Sequence, residues 1–502
     1  MSLTTQFATL YNGVAAPRSL LPRLDFAAFR ENILQGVARD WRVAALFALP
    51  APGGHDLVAI LAADDDGLMH ALRTAVTGDS FPSLTAECPQ LHLFEREIAE
   101  LWGLKPEGHP WLKPVRFQKP LRPGLDLTPP RPGVVDWYQV KGDEIHEVAV
   151  GPVHAGVIEP GAFRFQCHGE HVFHLEISLG YQHRGVERAM LHGPLKRHIH
   201  LMETLAGDTT VGHTTAYCQN MEALGNGRAP ARAHALRGIA LELERLANHT
   251  GDLGALAGDV GFLPTMSFCG RLRGDWLNLT AQLCGSRFGR GMIRPGGVGF
   301  DAEPGRTYDM ALKVEAALKD VSGAAELLWN TPSVMARFED TGLVTRQTAE
   351  ELGLVGPAAR ACGIERDARC NFPSGIWQFA QIPAATWTSG DVFARAWVRW
   401  LEIQRSAGFI REQLHSLPAG PVRAACGPPA ADRIVVSLVE GWRGEICHVA
   451  LTDGEGKFAA YKVVDPSFHN WTGLAMALRD QQISDFPLCN KSFNLSYCGH
   501  DL

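Results

Sequence analysis

A proline-rich stretch divides this chain of 502 residues into two unequal parts. Residues 118–137 read QKPLRPGLDLTPPRPGVVDW and contain Pro120, Pro123, Pro129, Pro130 and Pro132. Proline removes a backbone donor and disfavours helix at the residue before it, so the stretch predicts an extended linker. We therefore expect a first domain at residues 1–117, the linker at 118–137 and a second domain at 138–502.

The composition is that of a folded protein and excludes several classes of function. Hydrophobic residues make up 46% and charged residues 20% of the chain, and the formal net charge is -7, which argues against a nucleic-acid partner. No stretch reaches the roughly 18 apolar residues of a membrane span, and the first residues lack a signal-peptide pattern. The eleven cysteines include no C-x-x-C pair. We expect a cytoplasmic protein, or one peripheral on the cytoplasmic face of a membrane.

The hydrophobic pattern predicts an α+β fold. Short apolar runs mixed with helical stretches predict a small α/β domain before the linker. After it, apolar residues recur at helical spacing in 229–261 and 390–417, and two strand-like segments, 146–181 and 433–464, flank these long helices. The second domain should therefore have a long-helix core with small flanking β-sheets.

Histidines are concentrated in the segment HGEHVFH, which contains His168, His171 and His174. A spacing of three suits one face of a helix, but the segment alternates like a strand, in which the three would not all point the same way. Solvated or hydrogen-bonded histidines are favoured here over a metal site.

Three other segments combine polar side chains with glycine or proline, which suits residues held at the edge of a cleft. They read GPVHAGVIEPG (151–161), AGDTTVGH (206–213) and DPSFHNW (465–471). We interpret the last as a proline-bearing turn between a strand and a helix. A hydrolytic Ser/His site is disfavoured there because Ser467 and His469 are only two residues apart. From these residues alone the reaction stays open.

Taken in order, the motifs resemble one family over most of the chain. EREIAELWGLKPEGHP resembles the signature of the 30-kDa subunit of respiratory complex I. GYQHRGVER, LELERLANH, GSRFGRGMIRPGGV and VEGWRGE resemble the complex I 49-kDa subunit and the large subunit of group 4 nickel–iron hydrogenases. The fusion of both parts in one chain is similar to the large subunit of formate hydrogenlyase.

The resemblance also exposes a difference from working hydrogenases of this family. Those enzymes hold nickel and iron with four cysteine thiolates, which are the soft ligands that such a centre requires. The matching positions of this chain are Ala206, Thr209, Ser467 and Asn470. We therefore expect no metal site and no nickel–iron hydrogenase activity in the chain itself.

In complex I the corresponding cavity admits a quinone headgroup beside an iron–sulfur cluster of a partner subunit. Ser467, Phe468 and Asn470 match the complex I form of the last motif, whereas the sequence EPG follows the hydrogenase form. The second histidine of the complex I loop falls near Ile158 or Glu159, and the headgroup tyrosine falls at Gly207. The resemblance implies electron transport to quinone, linked to NAD at the level of the family, with no cofactor bound by this chain.

The site residues that the resemblance implies fall into two groups. The candidate proton donors of a quinone cavity are Glu159, Asp208, His213 and His469, and the candidate lining residues are His154, Thr209, Asp465, Ser467 and Asn470. A buried carboxylate in such a cavity is expected to have a raised pKa, which suits proton delivery.

The resemblance implies partners as well. We expect a small iron–sulfur subunit carrying a 4Fe–4S cluster, antiporter-like membrane subunits and, by likeness to formate hydrogenlyase, a formate dehydrogenase. The competing hypothesis is a non-catalytic scaffold that keeps the fold of such a complex without redox chemistry.

Overall fold

The computed structural model describes residues 6–125, 131–154 and 158–502. Its first part is a five-stranded sheet packed on two helices, as the sequence predicts. The sheet order is β1-β6-β5-β4, with β3 parallel to β6 and every other pair antiparallel. The elements are β1 (Ala8–Leu10), β2 (Ala16–Pro17), β3 (Arg23–Leu24), α1 (Phe26–Val37), β4 (Arg42–Ala51), β5 (Gly54–Ala63), β6 (Leu68–Val76), β7 (Ser80–Pro82), α2 (His92–Trp102) and β8 (Lys105–Glu107).

The second part has two larger sheets. One contains three antiparallel strands, β9 (Ile145–Val150), β10 (Ala162–His168) and β11 (His171–Ser178). A two-stranded ribbon follows, made by β12 (Ile293–Arg294) and β13 (Gly297–Val298). The other sheet contains β14 (Arg433–Gly441), β15 (Gly444–Thr452) and β16 (Phe458–Val464), which lie next to one another in that order.

Long helices form the core of the second part. The two segments with apolar residues at helical spacing form the helices α6 (Ala231–Asp259) and α13 (Val392–His415). Their apolar residues Ile239, Leu243, Ile403 and Ile410 are fully buried. The helices are α3 (Val186–Met190), α4 (His198–Glu203), α5 (Thr210–Leu224), α6 (Ala231–Asp259), α7 (Leu263–Cys284), α8 (Pro304–Trp329), α9 (Pro332–Phe338), α10 (Arg346–Leu352), α11 (Gly356–Arg360), α12 (Ala368–Asn371), α13 (Val392–His415), α14 (Pro466–Ala477), α15 (Phe486–Phe493) and α16 (Tyr497–Asp501). In the described part of the chain, none of these helices has the length and apolarity of a membrane span.

The sheet β14–β16 is the middle layer between the two parts. Alternate side chains such as Val435 and Val463 belong to the helical core, whereas Val436 and Val449 belong to the core of the first part. This explains why its strands are buried on both faces. The short strand β2 extends the sheet by pairing with β14, so residues near the N-terminus belong to both parts.

The linker region contains no helix or strand at 118–125 and 131–137. Pro129 and Pro130 lie outside the described residues. The two parts pack against each other through the sheet β14–β16, so the fold shows no gap between them at 117 or 138. The domain boundaries at these residues stay predictions.

The three clustered histidines lie on a hairpin rather than on one face of a helix. β10 ends at His168 and β11 begins at His171, so these two residues face each other across the turn. His168 lies 2.6 Å from Glu144 and His171 lies 3.5 Å from Asp480. In the described ranges no three ligand-type side chains cluster in a way that could hold a metal ion.

Candidate functional site

The segment DPSFHNW is the start of a helix, and its interpretation as a turn is wrong. β16 ends at Val464, and α14 begins at Pro466. Asp465 is the N-cap, because its carboxylate accepts the backbone N–H of Ser467 at 2.8 Å. Aspartate at the N-cap followed by proline at the first helical position is a strong helix-start signal. As a result, Ser467 and Asn470, three residues apart, lie on one side of the helix, and His469 lies on another.

The four positions that correspond to hydrogenase ligands hold no thiolate, and three have other hydrogen-bond roles. The Ser467 hydroxyl accepts the backbone N–H of Ser496 at 2.8 Å. The Asn470 amide accepts the N–H of Val355 and donates to its carbonyl, both at 3.0 Å. Ala206 is fully buried and offers no donor atom. These residues do not fit a nickel–iron centre, since neutral groups that already hold the backbone cannot replace bridging thiolates.

At the fourth position, Thr209, an arginine from the turn between β14 and β15 reaches into the site. The Thr209 hydroxyl accepts from Arg443 at 3.2 Å. The guanidinium of Arg443 also donates two hydrogen bonds to Asp208, at 2.6 and 2.7 Å. Burial by itself would raise the pKa of Asp208, but the charge of Arg443 lowers it below its usual value. The expectation of a raised pKa is therefore wrong for Asp208, because its partner cation could not be read from the local sequence.

Next to this ion pair lies a buried chain of hydrogen bonds. Asp465 Oδ2 is 2.9 Å from His213 Nε2, and His213 Nδ1 is 3.1 Å from His448 Nε2. His448 Nδ1 is 2.9 Å from the hydroxyl of Tyr461. All four side chains are buried.

The ionisation of Asp465 gives this chain a direction. Burial would raise the pKa of Asp465, but the hydrogen bond from His213 lowers it, so the carboxylate accepts and His213 Nε2 donates. Burial also holds the pKa of His448 far below its usual value, which keeps that ring neutral. In the arrangement in which Nε2 of His213 carries a hydrogen and its Nδ1 does not, His448 donates to His213 and Tyr461 donates to His448. A proton shift along the chain would therefore arrive at Asp465.

His448 and Tyr461 were missed by the sequence reasoning. Each lies in a mostly apolar, buried strand, and a polar side chain in such a strand needs a buried partner. That signal was available. The pairing of β15 with β16 then sets the two residues on the same face, toward α5.

Glu244 on α6 is a second residue that the sequence reasoning missed. Its carboxylate accepts the backbone N–H groups of Val211 and Gly212 in the first turn of α5, at 2.7 and 3.2 Å. Burial nevertheless raises the pKa of Glu244 to about 8. Glu244 and Asp208 line a cleft of about 270 Å³, together with Asn248 and Arg287. Glu244 therefore has the raised pKa that we expected for a buried carboxylate able to deliver a proton.

Glu159 lies next to Cys498, near the C-terminus. Burial first, and then the neighbouring Glu159 carboxylate, raise the pKa of the Cys498 thiol to about 12, and Asp208 contributes in the same direction. His154 lies in the same loop as Glu159, but its Nε2 is 2.9 Å from the carbonyl of Gly161. Residues 155–157 between them lie outside the described part of the chain.

His469 does not lie with these residues. Its ring packs edge-on against Phe94 of α2, with ring centroids 5.8 Å apart. Burial, and to a lesser degree the charge of Arg42, lower the pKa of His469 to about 3. The structure therefore brings Glu159, Asp208, Thr209, His213 and Asp465 together. It places His469 and Asn470 in structural contacts elsewhere.

Family comparisons match both parts of the chain. Residues 37–130 match the model described as the respiratory-chain NADH dehydrogenase 30 Kd subunit, and residues 259–430 match that of the 49 Kd subunit. The chain thus contains complex I 30-kDa and 49-kDa regions in one polypeptide, as the motifs predict.

Individual relatives include both hydrogenases and quinone oxidoreductases. The chain is 31% identical to the carbon monoxide-induced hydrogenase of Rhodospirillum rubrum, over 70% of this chain and 97% of that protein. It is 27% identical to formate hydrogenlyase subunit 5 of Escherichia coli, over 83% and 76% of the two chains. It is 27% identical to NADH-quinone oxidoreductase subunit 4 of Thermus thermophilus, over 68% and 90%.

Proposed function

Since this chain belongs to the family that unites the complex I 49-kDa subunit with the large subunits of group 4 nickel–iron hydrogenases, we propose that it carries a metal-free site for quinone reduction. The oxidoreductase containing it would be a membrane-associated complex. The observation that carries the proposal is the buried hydrogen-bond chain that links Tyr461, His448, His213 and Asp465. It lies beside positions whose donor atoms cannot hold nickel.

Reduction of a quinone to a hydroquinone adds two electrons to the ring and one proton to each carbonyl oxygen. The electrons would come from a 4Fe–4S cluster in a small partner subunit, and the protons from side chains of this chain. Asp465, which is ionised at rest, would take up a proton from His213 and pass it on, whereas Glu244, with a pKa of about 8, holds a proton at neutral pH. Two separate proton sources suit a reaction that consumes two protons.

The proposed setting follows the relatives. The small iron–sulfur subunit would cover the site, antiporter-like membrane subunits would hold the assembly on the cytoplasmic face of the membrane, and a formate dehydrogenase or an NADH-linked unit would supply electrons. This chain would then be a peripheral subunit rather than a membrane-spanning one.

The test is quinone reduction by the assembled complex, with reduced viologen as electron donor and decylubiquinone as acceptor. Asp465→Asn and His213→Gln should each lower the turnover by about 10-fold or more, as expected for loss of a general acid–base group. His469→Gln is the matched control and should keep its turnover, because its ring packs against Phe94. Equal turnover in all three variants would rule out this proton route.

A scaffold is the second candidate, and one observation favours it. Ser467 and Asn470 are each fully engaged in holding the backbone, which is what a purely structural site would show. A scaffold would assemble normally but fail to bind a quinone analogue such as piericidin. Metal analysis of the complex tests a third case, in which this chain binds nickel. We expect iron from the partners and no stoichiometric nickel, and nickel bound to this chain would overturn both candidates.

A further inference from the structure

A second cleft lies between α2 of the first part and α14 of the second, away from the site described above. It is partly open to solvent, and Arg96, Trp111, Ser178, Trp471 and Thr472 are among its lining residues. Apolar side chains, including Leu93 and Ile177, form the rest of its wall. We refer to this space as the Arg96 cleft.

The bonding of Arg96 is unusual among the buried arginines of the described residues. Its Nε donates to the carbonyl of Lys113 at 2.7 Å and its Nη2 to the carbonyl of Pro114 at 2.9 Å, and Nη1 has no hydrogen-bond partner within the described ranges. Every other buried arginine there pairs with a carboxylate, except Arg395. All three nitrogens of Arg395 donate to a neutral acceptor, so none is left over.

The acidic groups near Arg96 are committed to other partners. Glu100 accepts the backbone N–H groups of Arg116 and Gln118. Glu176 forms an ion pair with Lys113 at 2.6 Å. A buried guanidinium without a counter-ion carries a large desolvation cost, which a bound anion would offset.

A second unsatisfied group lines the same cleft. The hydroxyl of Ser178 is buried and has no hydrogen-bond partner among the residues that the structure describes, and the residue is only 9% exposed. The Thr472 hydroxyl lies 3.0 Å from Nε2 of His92, at the same cleft. A cation and a free hydroxyl beside apolar walls are complementary to an amphipathic anion rather than to an apolar ligand.

We propose that the Arg96 cleft binds a small monocarboxylate with an apolar body. The planar guanidinium matches the two oxygens of a carboxylate, and Ser178 can donate to one of them. A phosphate dianion fits less well, because a single cation faces it while Glu100 and Glu176 lie nearby and repel a second negative charge. The inference does not depend on the proposed quinone chemistry.

The experiment is calorimetric titration of the full-length chain with benzoate, with benzyl alcohol as its neutral analogue and with inorganic phosphate. Saturable binding of benzoate, but of neither other probe, is the expected result. Arg96→Gln should weaken benzoate binding by about 10-fold or more, because an amide keeps donors but no charge. Ser178→Ala should weaken it by about threefold to tenfold, as for loss of one hydrogen bond.

A matched control is Thr215→Val on α5, outside the cleft, which removes another buried hydroxyl that has no partner in the described part of the chain. It should bind benzoate as the parent chain does. If Arg96→Gln does not fold, Ser178→Ala against Thr215→Val decides the question by itself. Unchanged benzoate affinity in Ser178→Ala and Arg96→Gln, or tighter binding of phosphate than of benzoate, would overturn the proposal.

Discussion

Asp208 and Glu244 line the same small cleft, but the pKa of Asp208 is lowered and that of Glu244 is raised. The difference comes from their partners. Asp208 receives both arms of Arg443, so the pKa of its carboxyl is lowered despite burial. Glu244 receives only two backbone N–H groups and lies close to the charge of Asp208, so burial dominates and raises its pKa to about 8. At the scale of single residues, the identity of the partner decides which acid can hold a proton at neutral pH.

Glu244→Gln should change how the stability of the protein depends on pH. The folded chain keeps a proton on Glu244 up to about pH 8, whereas the unfolded chain releases it near the usual value of 4.5. Stability contributed by this group is therefore present at low pH and lost as the pH rises from about 5 to 8. The difference in the free energy of unfolding between the variant and the parent should therefore shift in favour of the variant by at least about 1 kcal/mol when the pH is raised from 5 to 8.5.

Urea unfolding at pH 5, 7 and 8.5 measures this difference. Glu326→Gln is the control, because Glu326 is exposed on α8, and it should show the same pH dependence as the parent. A Glu244→Gln variant with the parent's pH profile would mean that Glu244 is ionised in the folded protein.

Tyr461→Phe tests the far end of the hydrogen-bond chain. The variant removes one hydroxyl and leaves Nδ1 of His448 without its donor in a fully buried place. We expect a loss of about 1–3 kcal/mol in the free energy of unfolding at pH 7. Tyr217→Phe is a matched change at a neighbouring buried ring, whose hydroxyl makes no hydrogen bond in the part of the chain described here. Equal costs for the two variants would contradict a stabilising hydrogen bond between Tyr461 and His448.

At the scale of elements, the sequence predicted the helices and strands whose apolar residues follow a regular pattern. The helical spacing of apolar residues in α6 and α13 and the apolar runs of β14–β16 were sufficient to predict these elements and their burial. The start of α14 was missed because Asp465 and Pro466 were interpreted as a turn, although the same pair is a helix-start signal. Arg443, His448 and Glu244 could not be assigned to the site locally. Each reaches it through contacts between elements that are distant in sequence.

Asp465 combines two roles at the junction of β16 and α14, and two substitutions separate them. Asp465→Asn keeps a side chain that can cap the helix but removes the charge that faces His213. Asp465→Ala removes both, and should cost about 1 kcal/mol more in the free energy of unfolding. Chemical unfolding of both variants at pH 7 gives this difference.

The effect of Asp465→Asn should also depend on pH. The pKa of Asp465 is lowered in the folded protein, so its stabilisation is present above the usual value of 3.8 and is lost as the pH falls below it. The variant should therefore approach the parent in stability near pH 3. Asp25→Asn, at the exposed N-cap of α1, provides a cap without a histidine partner. A cost of Asp465→Asn that stays constant down to pH 3 would argue against the pairing with His213.

At the scale of the whole molecule, buried charges join the two parts. Lys462 on β16 contacts both oxygens of Glu97 on α2, at 2.7 and 2.6 Å, and lies 3.0 Å from Glu187. Arg116 also pairs with Glu97 and donates to the carbonyl of His500 at 2.8 Å. These contacts, with the shared sheet β14–β16, explain why a proline-rich linker does not lead to two separate bodies here.

Lys462→Met should loosen this contact by leaving two buried carboxylates with only one cation. Removal of one partner from a buried ion pair typically costs about 3–5 kcal/mol, and we expect a loss in that range, measured by urea unfolding at pH 7. Adding Glu97→Gln to Lys462→Met removes the surplus negative charge, which leaves Arg116 and Glu187 in balance, and should restore part of the loss, because the cost comes mainly from uncompensated charge. A double variant that loses the sum of the two single costs would show that packing, rather than charge balance, holds the two parts together.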